Sequence, residues 1–567
     1  MSKAKKADKS ARKKGEPASM YDRLGTWCSG HTRGVLLASL LLGLVLSFTQ
    51  FDVKPSIGGD DTAYVLQAMK FVASGQIPVN FRTPGYPLFL ALFVWLGGAN
   101  LVFLKLTSLA CFGGLIVSFY FVFKNRLEPQ IFYPALLLIA INPLVIEYSY
   151  QTYSEMFFAL LTVWAVHFII KSAEKNNTLD TVLAGILTMA AFYVRIVGVT
   201  VGGAAVLYYL SRRQWKSVGI FLAVCILLYS PLKIYQTVSG VNSFEQASIL
   251  LLKNPYNVAD GKETIGGFAD RFINNIENDL NYQIPTSLSM PTSDELAMAN
   301  GRFLPNGTAF VALLFSLVVA AGLKVATDDR PRQGFRLIAF LVVIYLAFIA
   351  LALQNIFATP RMLMPIVPFL VICLLLGWRW VLMKIAKQSK VMALSSGVKS
   401  TFVVGLGFVL FFNVVQADVK ISVNFPILRE NLSGNQFAGF TEDWVNYLKA
   451  SQWIGKNIPK AGTVVMCRKP ELFQIYSNGF EAYGTYQIDQ TNADSLVSRW
   501  RRAGITHMLY DNFQWSSTLR RYVQPVADKY SKMFDLIHQE GTDYPSFVYR
   551  LSYAVVDTAQ SAAESGK

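Results

Sequence analysis

The chain has 567 residues, of which 53% are apolar and only 16% charged, with a mean hydropathy of +0.36. A soluble domain carries about a quarter charged residues, so a water-soluble enzyme is excluded. The net charge of +16 does not mark a nucleic-acid partner either. Nine Lys/Arg against three Asp/Glu fall in residues 1–33, much of the rest lies in short loops between apolar blocks, and from 420 onward sixteen basic face fourteen acidic residues. That distribution is membrane topology.

Residues 1–33 read as a disordered basic cytoplasmic tail, followed by a first apolar block at 35–51. Phe51 leads into Asp-Val-Lys-Pro, no small-residue cleavage site, so the block is expected to stay as a first transmembrane helix. Taking every basic loop as cytoplasmic demands an even number of crossings between neighbouring loops. Two blocks between 131 and 170, two short crossings turning at Arg195 within 179–211, the pairs 216–238 with 305–326 and 337–353 with 361–383, and a last block at 401–417 satisfy this rule. The three blocks before Lys124 do not. The shortest, 84–97, is too brief for a bilayer span and is laid along the outer membrane surface.

The expected fold class is therefore a polytopic α-helical membrane protein of about 11 transmembrane helices with a C-terminal extracytoplasmic α/β domain. Its parts are the tail, a membrane domain at 34–419 with outer loops 52–99 and 239–304, and the domain 420–567. In that last part helical patterns at Trp444–Asn457 and Ala493–Ala503 alternate with strand-like runs at Gly462–Met466 and His507–Tyr510, without a phosphate loop or nucleophile elbow. A structural, lid-like or acceptor-docking role is expected of it. The five cysteines have no metal-ligand spacing and four lie in or beside apolar blocks, which argues against a disulfide framework. The four histidines are scattered, so no histidine metal site is expected.

The chemistry is expected in the first outer loop, which contains Gly58-Gly59-Asp60-Asp61-Thr62-Ala63-Tyr64 and then Arg82-Thr83-Pro84-Gly85-Tyr86-Pro87. Adjacent carboxylates beside a membrane are costly to desolvate unless used. One can act as a base while its neighbour positions a partner, and capping of the following helix is the competing reading. Arg82, Arg195 and Arg361 fall at outer ends of apolar blocks, against the charge bias. They either snorkel to headgroups or form a site for a phosphate-like anion. Glu155, at the mouth of a block, is a site candidate or a carboxylate held by its helix dipole.

Together these residues resemble the GT-C glycosyltransferases of the lipid-phosphate-sugar-dependent branch, which includes protein O-mannosyltransferases and bacterial aminoarabinose transferases of lipid A. The resemblance rests on the acidic pair four and three residues before Tyr64, a Gly eleven residues beyond that Tyr, and a basic residue before a Pro-x-x-Pro-like surface helix. The Arg195 turn, Arg361-Met-Leu-Met-Pro-Ile-Val-Pro368 and Arg468-Lys-Pro-Glu-Leu-Phe473 extend it. It implies Asp60 as catalytic aspartate, Asp61 as its acidic neighbour, and an inverting displacement in which Arg82, Arg195 or Arg361 stabilises the leaving polyprenyl phosphate. Arg82 stands one position earlier than the family's basic residue, and Pro84-Gly85 replaces Pro-Pro.

The candidate catalytic residues are thus Asp60, Asp61 and Glu155, and the candidate substrate-binding residues Tyr64, Arg82, Tyr86, Arg195 and Arg361. No cofactor is assigned; a divalent metal is left open but not indicated. The expected partners are a polyprenyl-phosphate sugar donor, a lipid, glycan or protein acceptor, and membrane lipids, with no nucleic acid. The expected location is a bacterial inner membrane, N-terminus cytoplasmic and C-terminus periplasmic. Loop 239–304, with Gly261, Gly266 and Gly267, is expected to act as a lid. The rival functions are a polymerase or ligase of diphosphate-linked glycans, a lipid or sugar transporter (flippase), and a non-catalytic scaffold. Transporters usually show internal pseudo-symmetry, and none is visible here.

Overall fold

The computed structural model describes residues 19–56, 58–77, 82–240, 245–255, 260–290, 307–328, 334–387, 394–486, 488 and 490–557. Residues 1–18 of the basic tail and part of loop 239–304 lie outside the described residues. The rest of the tail, expected to be disordered, contains the helix Met20–Gly30, which buries Tyr21 and Cys28. Each expected apolar block is helical. Among the described residues, eight helices are long and apolar enough to cross a membrane: Thr32–Thr49, Leu101–Phe123, Ser154–Lys175, Trp215–Val238, Phe310–Thr327, Phe335–Ala352, Pro360–Ile385 and Ser396–Leu432. A further pair, Pro129–Ile141 and Pro143–Ser149, bends by 51° at Asn142, and three apolar helices are shorter: Gly85–Gly97, Thr178–Val194 and Ile196–Ser211. The chain is a multi-pass helical membrane protein with a small C-terminal sheet.

The burial of these helices orders them around a centre. Pro360–Ile385 is mostly buried, whereas Thr32–Thr49, Trp215–Val238 and Ser396–Leu432 are mostly exposed. On Thr32–Thr49 the exposed residues Leu37, Leu41, Val45 and Phe48 recur at helical spacing, a lipid-facing stripe with no protein partner. The last helix runs to Leu432, 37 residues in all. At about 1.5 Å per residue it exceeds a bilayer core of about 30 Å, so it carries the chain clear of the bundle. Its far end is tied back: Val53 N–H donates to Asn431 Oδ1 at 3.1 Å and Lys54 Nζ to Gly439 O at 2.8 Å.

The C-terminal domain is a five-stranded sheet in the order β2-β1-β3-β5-β4, with β1 Val464–Cys467, β2 Glu481–Gly484, β3 His507–Tyr510, β4 Phe534–Glu540 and β5 Ser546–Leu551. β1 is parallel to β2 and β3, while β5 runs antiparallel to β3 and β4. The period of two along each strand divides the core. Met466 and Met508 pack with Trp500 and Tyr522 on one face; Val465, Cys467 and Leu509 pack with Trp444, Tyr447 and Phe513 on the other. Helices Glu442–Asn457 and Pro470–Tyr476 cover the second face, Ala493–Arg502 and Thr518–Lys529 the first. Strands and helices alternate as expected from 420 onward.

Candidate functional site

The Asp60 helix, Asp60–Ser74, starts after Gly59, whose φ of +80° is left-handed, a conformation glycine adopts without steric cost. The N-cap position is Gly59, which makes no side-chain cap bond, and of the two aspartates only Asp61 takes an N–H of the first turn, that of Thr62. Asp60 instead faces two guanidiniums. Arg82 Nη2 donates to Oδ1 at 2.5 Å, and Arg361 Nη1 donates to Oδ2 at 2.8 Å. Burial raises the carboxyl's pKa, but Arg82 and Arg361 outweigh it and hold Asp60 below the usual carboxylate range.

Asp61 has a different task. It is buried, and its Oδ2 accepts from Ser56 N–H at 2.6 Å while Oδ1 accepts from Thr62 N–H at 2.8 Å and Ser56 Oγ at 3.1 Å. Burial pushes its carboxyl above the ordinary value despite those bonds. Asp61 thus folds the 51–59 loop onto the helix start and does not line the cavity beside Asp60. The same loop is pinned by Lys105, whose Nζ reaches Asp52 Oδ1 at 2.5 Å and Lys54 O at 2.6 Å.

Glu155, in the first turn of Ser154–Lys175, is fully buried. Its Oε1 receives Arg361 Nε and Arg195 Nη1, each at 2.6 Å. Arg195 also donates to Ser154 Oγ at 3.0 Å. Arg361 lies over the Tyr153 ring at 4.1 Å. Asp60, Arg82, Arg195, Arg361 and Glu155, distant in sequence, therefore form one charge cluster with Arg361 as its bridge. Tyr64 and Tyr86 are buried and pack edge to face at 4.9 Å. Tyr64 supports Arg82, which lies over its ring at 4.8 Å; neither tyrosine lines the cavity.

That cavity, about 600 Å³, opens beside Asp60. Its membrane wall includes Gly59, Asp60, Gln67 and Arg82; Ile249 and Pro255 of loop 239–304 and Phe357 close another side. The C-terminal domain supplies the facing wall, with Lys469, Glu471, Tyr483, Tyr486, Arg499 and Tyr522. Lys469 is the residue missed by the sequence reading. Its Nζ lies 3.4 Å from Gly58 O, and burial lowers its pKa. The signal was present in Arg468–Phe473, but only the packing of Pro470–Tyr476 on the Asp60 helix brings it to the site. Of the loop's glycines, none lines the cavity; its helix Ile265–Asn278 is fastened to the bundle by Asn275 Nδ2, which donates to Ala350 O at 2.9 Å and Leu353 O at 2.7 Å. Among the described residues no three His, Cys, Asp or Glu side chains are placed to share a metal ion.

The family model described as dolichyl-phosphate-mannose-protein mannosyltransferase matches residues 81–235. No curated protein sequence matches the chain. Solved structures do. ArnT from Cupriavidus metallidurans, in the apo state and bound to undecaprenyl phosphate, superposes with a TM-score of 0.53 at 12% identity, covering 93% of this chain and 99% of that one. The archaeal oligosaccharyltransferase AglB from Archaeoglobus fulgidus, in complex with an inhibitory peptide and a dolichol-phosphate, gives 0.55 at 12% identity over 93% of this chain and 75% of its own. The chain shares the GT-C fold of these two proteins. Within it, residues 81–235 are the part that matches the mannosyltransferase family model.

Proposed function

We propose that the protein is a membrane glycosyltransferase that moves a sugar, with inversion, from a polyprenyl-phosphate donor to an acceptor hydroxyl on the outer face of a bacterial inner membrane. The observation that carries this is Asp60, a carboxylate lining the cavity and flanked by Arg82 and Arg361. A displacement at an anomeric carbon needs a base for the incoming hydroxyl and cations for the leaving phosphate. Asp60 takes the hydroxyl proton while the acceptor oxygen bonds to the anomeric carbon. The bond from that carbon to the phosphate oxygen breaks, and its electron pair stays on the leaving polyprenyl phosphate, beside the arginines. Glu155 orients Arg195 and Arg361, and Asp61 shapes the loop that presents Asp60. The donor's lipid tail stays in the bilayer, so its phosphate takes the membrane wall and the acceptor the wall of the C-terminal domain. The undecaprenyl phosphate bound by ArnT and the dolichol-phosphate bound by AglB agree with this donor class. The basic loops between spans support a cytoplasmic N-terminus and a C-terminal domain on the outer side.

The test is a transfer assay on purified protein in nanodiscs with radiolabelled polyprenyl-monophosphate sugars, reading release of polyprenyl phosphate. Release by the wild type that is lost in Asp60→Asn supports the reading; full release by a folded Asp60→Asn protein sinks it. The likeness to an oligosaccharyltransferase favours one second reading, transfer from a diphosphate-linked glycan, and turnover of such donors alone would put it first.

A further inference from the structure

We propose that Arg82 is a shuttle between Asp60 and the donor: it neutralises Asp60 in the empty site and leaves it for the incoming phosphate, so that the base is released only when a lipid phosphate is in place. This rests on the donor class proposed above and adds an order of events to it.

The two arginines on Asp60 are not equivalent. Arg361 is fixed, since its Nε is spent on fully buried Glu155 at 2.6 Å and its guanidinium carbon lies 4.1 Å over the Tyr153 ring. It does not line the cavity. Arg82 does, beside Asp60 itself, and its guanidinium rests on the flat face of Tyr64. That ring is held by Tyr86 at 4.9 Å and by Ser154, 3.4 Å from its hydroxyl. A guanidinium on such a shelf can turn towards the cavity without giving up the ring contact.

Charge supplies the direction. Asp60 and Glu155 against Arg82, Arg195 and Arg361 leave one positive charge over, and at the facing cavity wall Lys469 and Arg499 against Glu471 leave another. A polyprenyl-phosphate sugar is a phosphodiester monoanion, and it offers Arg82 a bidentate partner in place of Asp60. As the bond to the sugar breaks, the leaving phosphate becomes a monoester whose charge approaches −2. The hold on Arg82 therefore strengthens along the reaction, and Asp60, relieved of one cation, gains basicity as the acceptor proton must be taken. In the empty site the doubly paired Asp60 is a poor base.

Undecaprenyl phosphate is the probe, with full-length protein in nanodiscs and a folding check by melting temperature on each variant. Wild type, Asp60→Asn, Arg82→Gln and the double variant are compared. If Asp60 competes with phosphate for Arg82, Asp60→Asn tightens binding by on the order of tenfold, equal to about 1.4 kcal/mol, Arg82→Gln weakens it, and the gain vanishes in the double variant. A gain that persists without Arg82 is simple repulsion between Asp60 and phosphate and overturns the shuttle; so does unchanged or weaker binding by Asp60→Asn. Failure of every folded variant, wild type included, to bind undecaprenyl phosphate removes the donor reading itself. A structure of the wild type with undecaprenyl phosphate reads the same event directly. The shuttle requires Arg82 to have left Asp60 for the phosphate, and a retained Arg82–Asp60 contact of 2.5 Å overturns it.

Discussion

Arg361 and Glu155 are 206 residues apart and meet through Nε and Oε1 at 2.6 Å, in a position where the carboxylate is shut off from solvent. Removing one member of a buried ion pair costs about 3–5 kcal/mol, because the remaining charge is left without compensation. Glu155→Ala strips the carboxylate from both Arg195 and Arg361, so a marked fall in melting temperature is expected together with loss of transfer. Glu155→Gln keeps a carbonyl oxygen at the acceptor position and is expected to lose less stability than Ala. Equal melting of Glu155→Ala and wild type would refute the structural role.

Asp60 is the opposite case, with a side chain about 30% exposed at the edge of the cavity. Asp60→Asn keeps the shape and, at this part-exposed position, is expected to cost less stability than Glu155→Ala, while removing a general base lowers rates by about 10²–10⁴-fold. Its folded pKa lies below the ordinary value. Asp60 therefore contributes stability above the unfolded carboxylate pKa of about 3.9, and that contribution is lost only as pH falls through the lower folded value. Melting the wild type and Asp60→Asn across pH 3–6 checks the sign; the two curves should converge at the acid end.

Much of this was legible in the sequence, and the misses have a physical pattern. The helices follow the hydropathy because apolar length dictates them. The last block was expected to end at 417 and continues to Leu432, since hydropathy marks contact with lipid, whereas a helix persists wherever propensity allows. The three arginines opposing the charge bias pointed to the cluster. Which carboxylate each one meets was not readable, because Arg361 reaches Asp60 across 301 positions. Tyr64 and Tyr86, expected at the substrate, are both buried, Tyr64 under Arg82 and Tyr86 against the Tyr64 ring, a placement decided by rotamer and packing. The cavity wall with Lys469 depends on how the C-terminal domain docks, which no local pattern encodes.

Gly85 carries a prediction about the departure from Pro-Pro. A Cβ built on it would lie 2.5 Å from the Tyr193 carbonyl carbon and oxygen and 2.8 Å from Val194 N, the residues just ahead of Arg195. The glycine thus lets the helix after Arg82 abut the turn that presents Arg195. Gly85→Ala must push the two backbones apart, at a cost of about 1–3 kcal/mol by analogy with overpacked cores. Because it displaces Arg82 and Arg195, both used in the proposed mechanism, its transfer rate should fall further than its melting temperature implies. A Gly85→Ala protein with wild-type transfer would show that this contact does not set the arginine geometry.

Asp511, after β3 in the C-terminal domain, is expected to make the whole protein's stability depend on pH near neutrality. It is buried, its Oδ1 accepts only a 3.3 Å bond from Phe513 N–H, and among the described residues its Oδ2 has no partner. Burial pushes the carboxyl up to about 7, against weaker opposition from that N–H and from Arg468 and Arg520. The folded state thus keeps a proton that the unfolded chain gives up near pH 3.9. The stabilisation is complete below that value and drains away as pH rises to about 7, by on the order of 4 kcal/mol in total. Asp511→Asn has no proton to lose and can keep the bond from Phe513. Its melting temperature should match the wild type at pH 4 and exceed it at pH 8. Parallel melting curves for the two proteins from pH 4 to 8 would show that Asp511 is ionised within the fold.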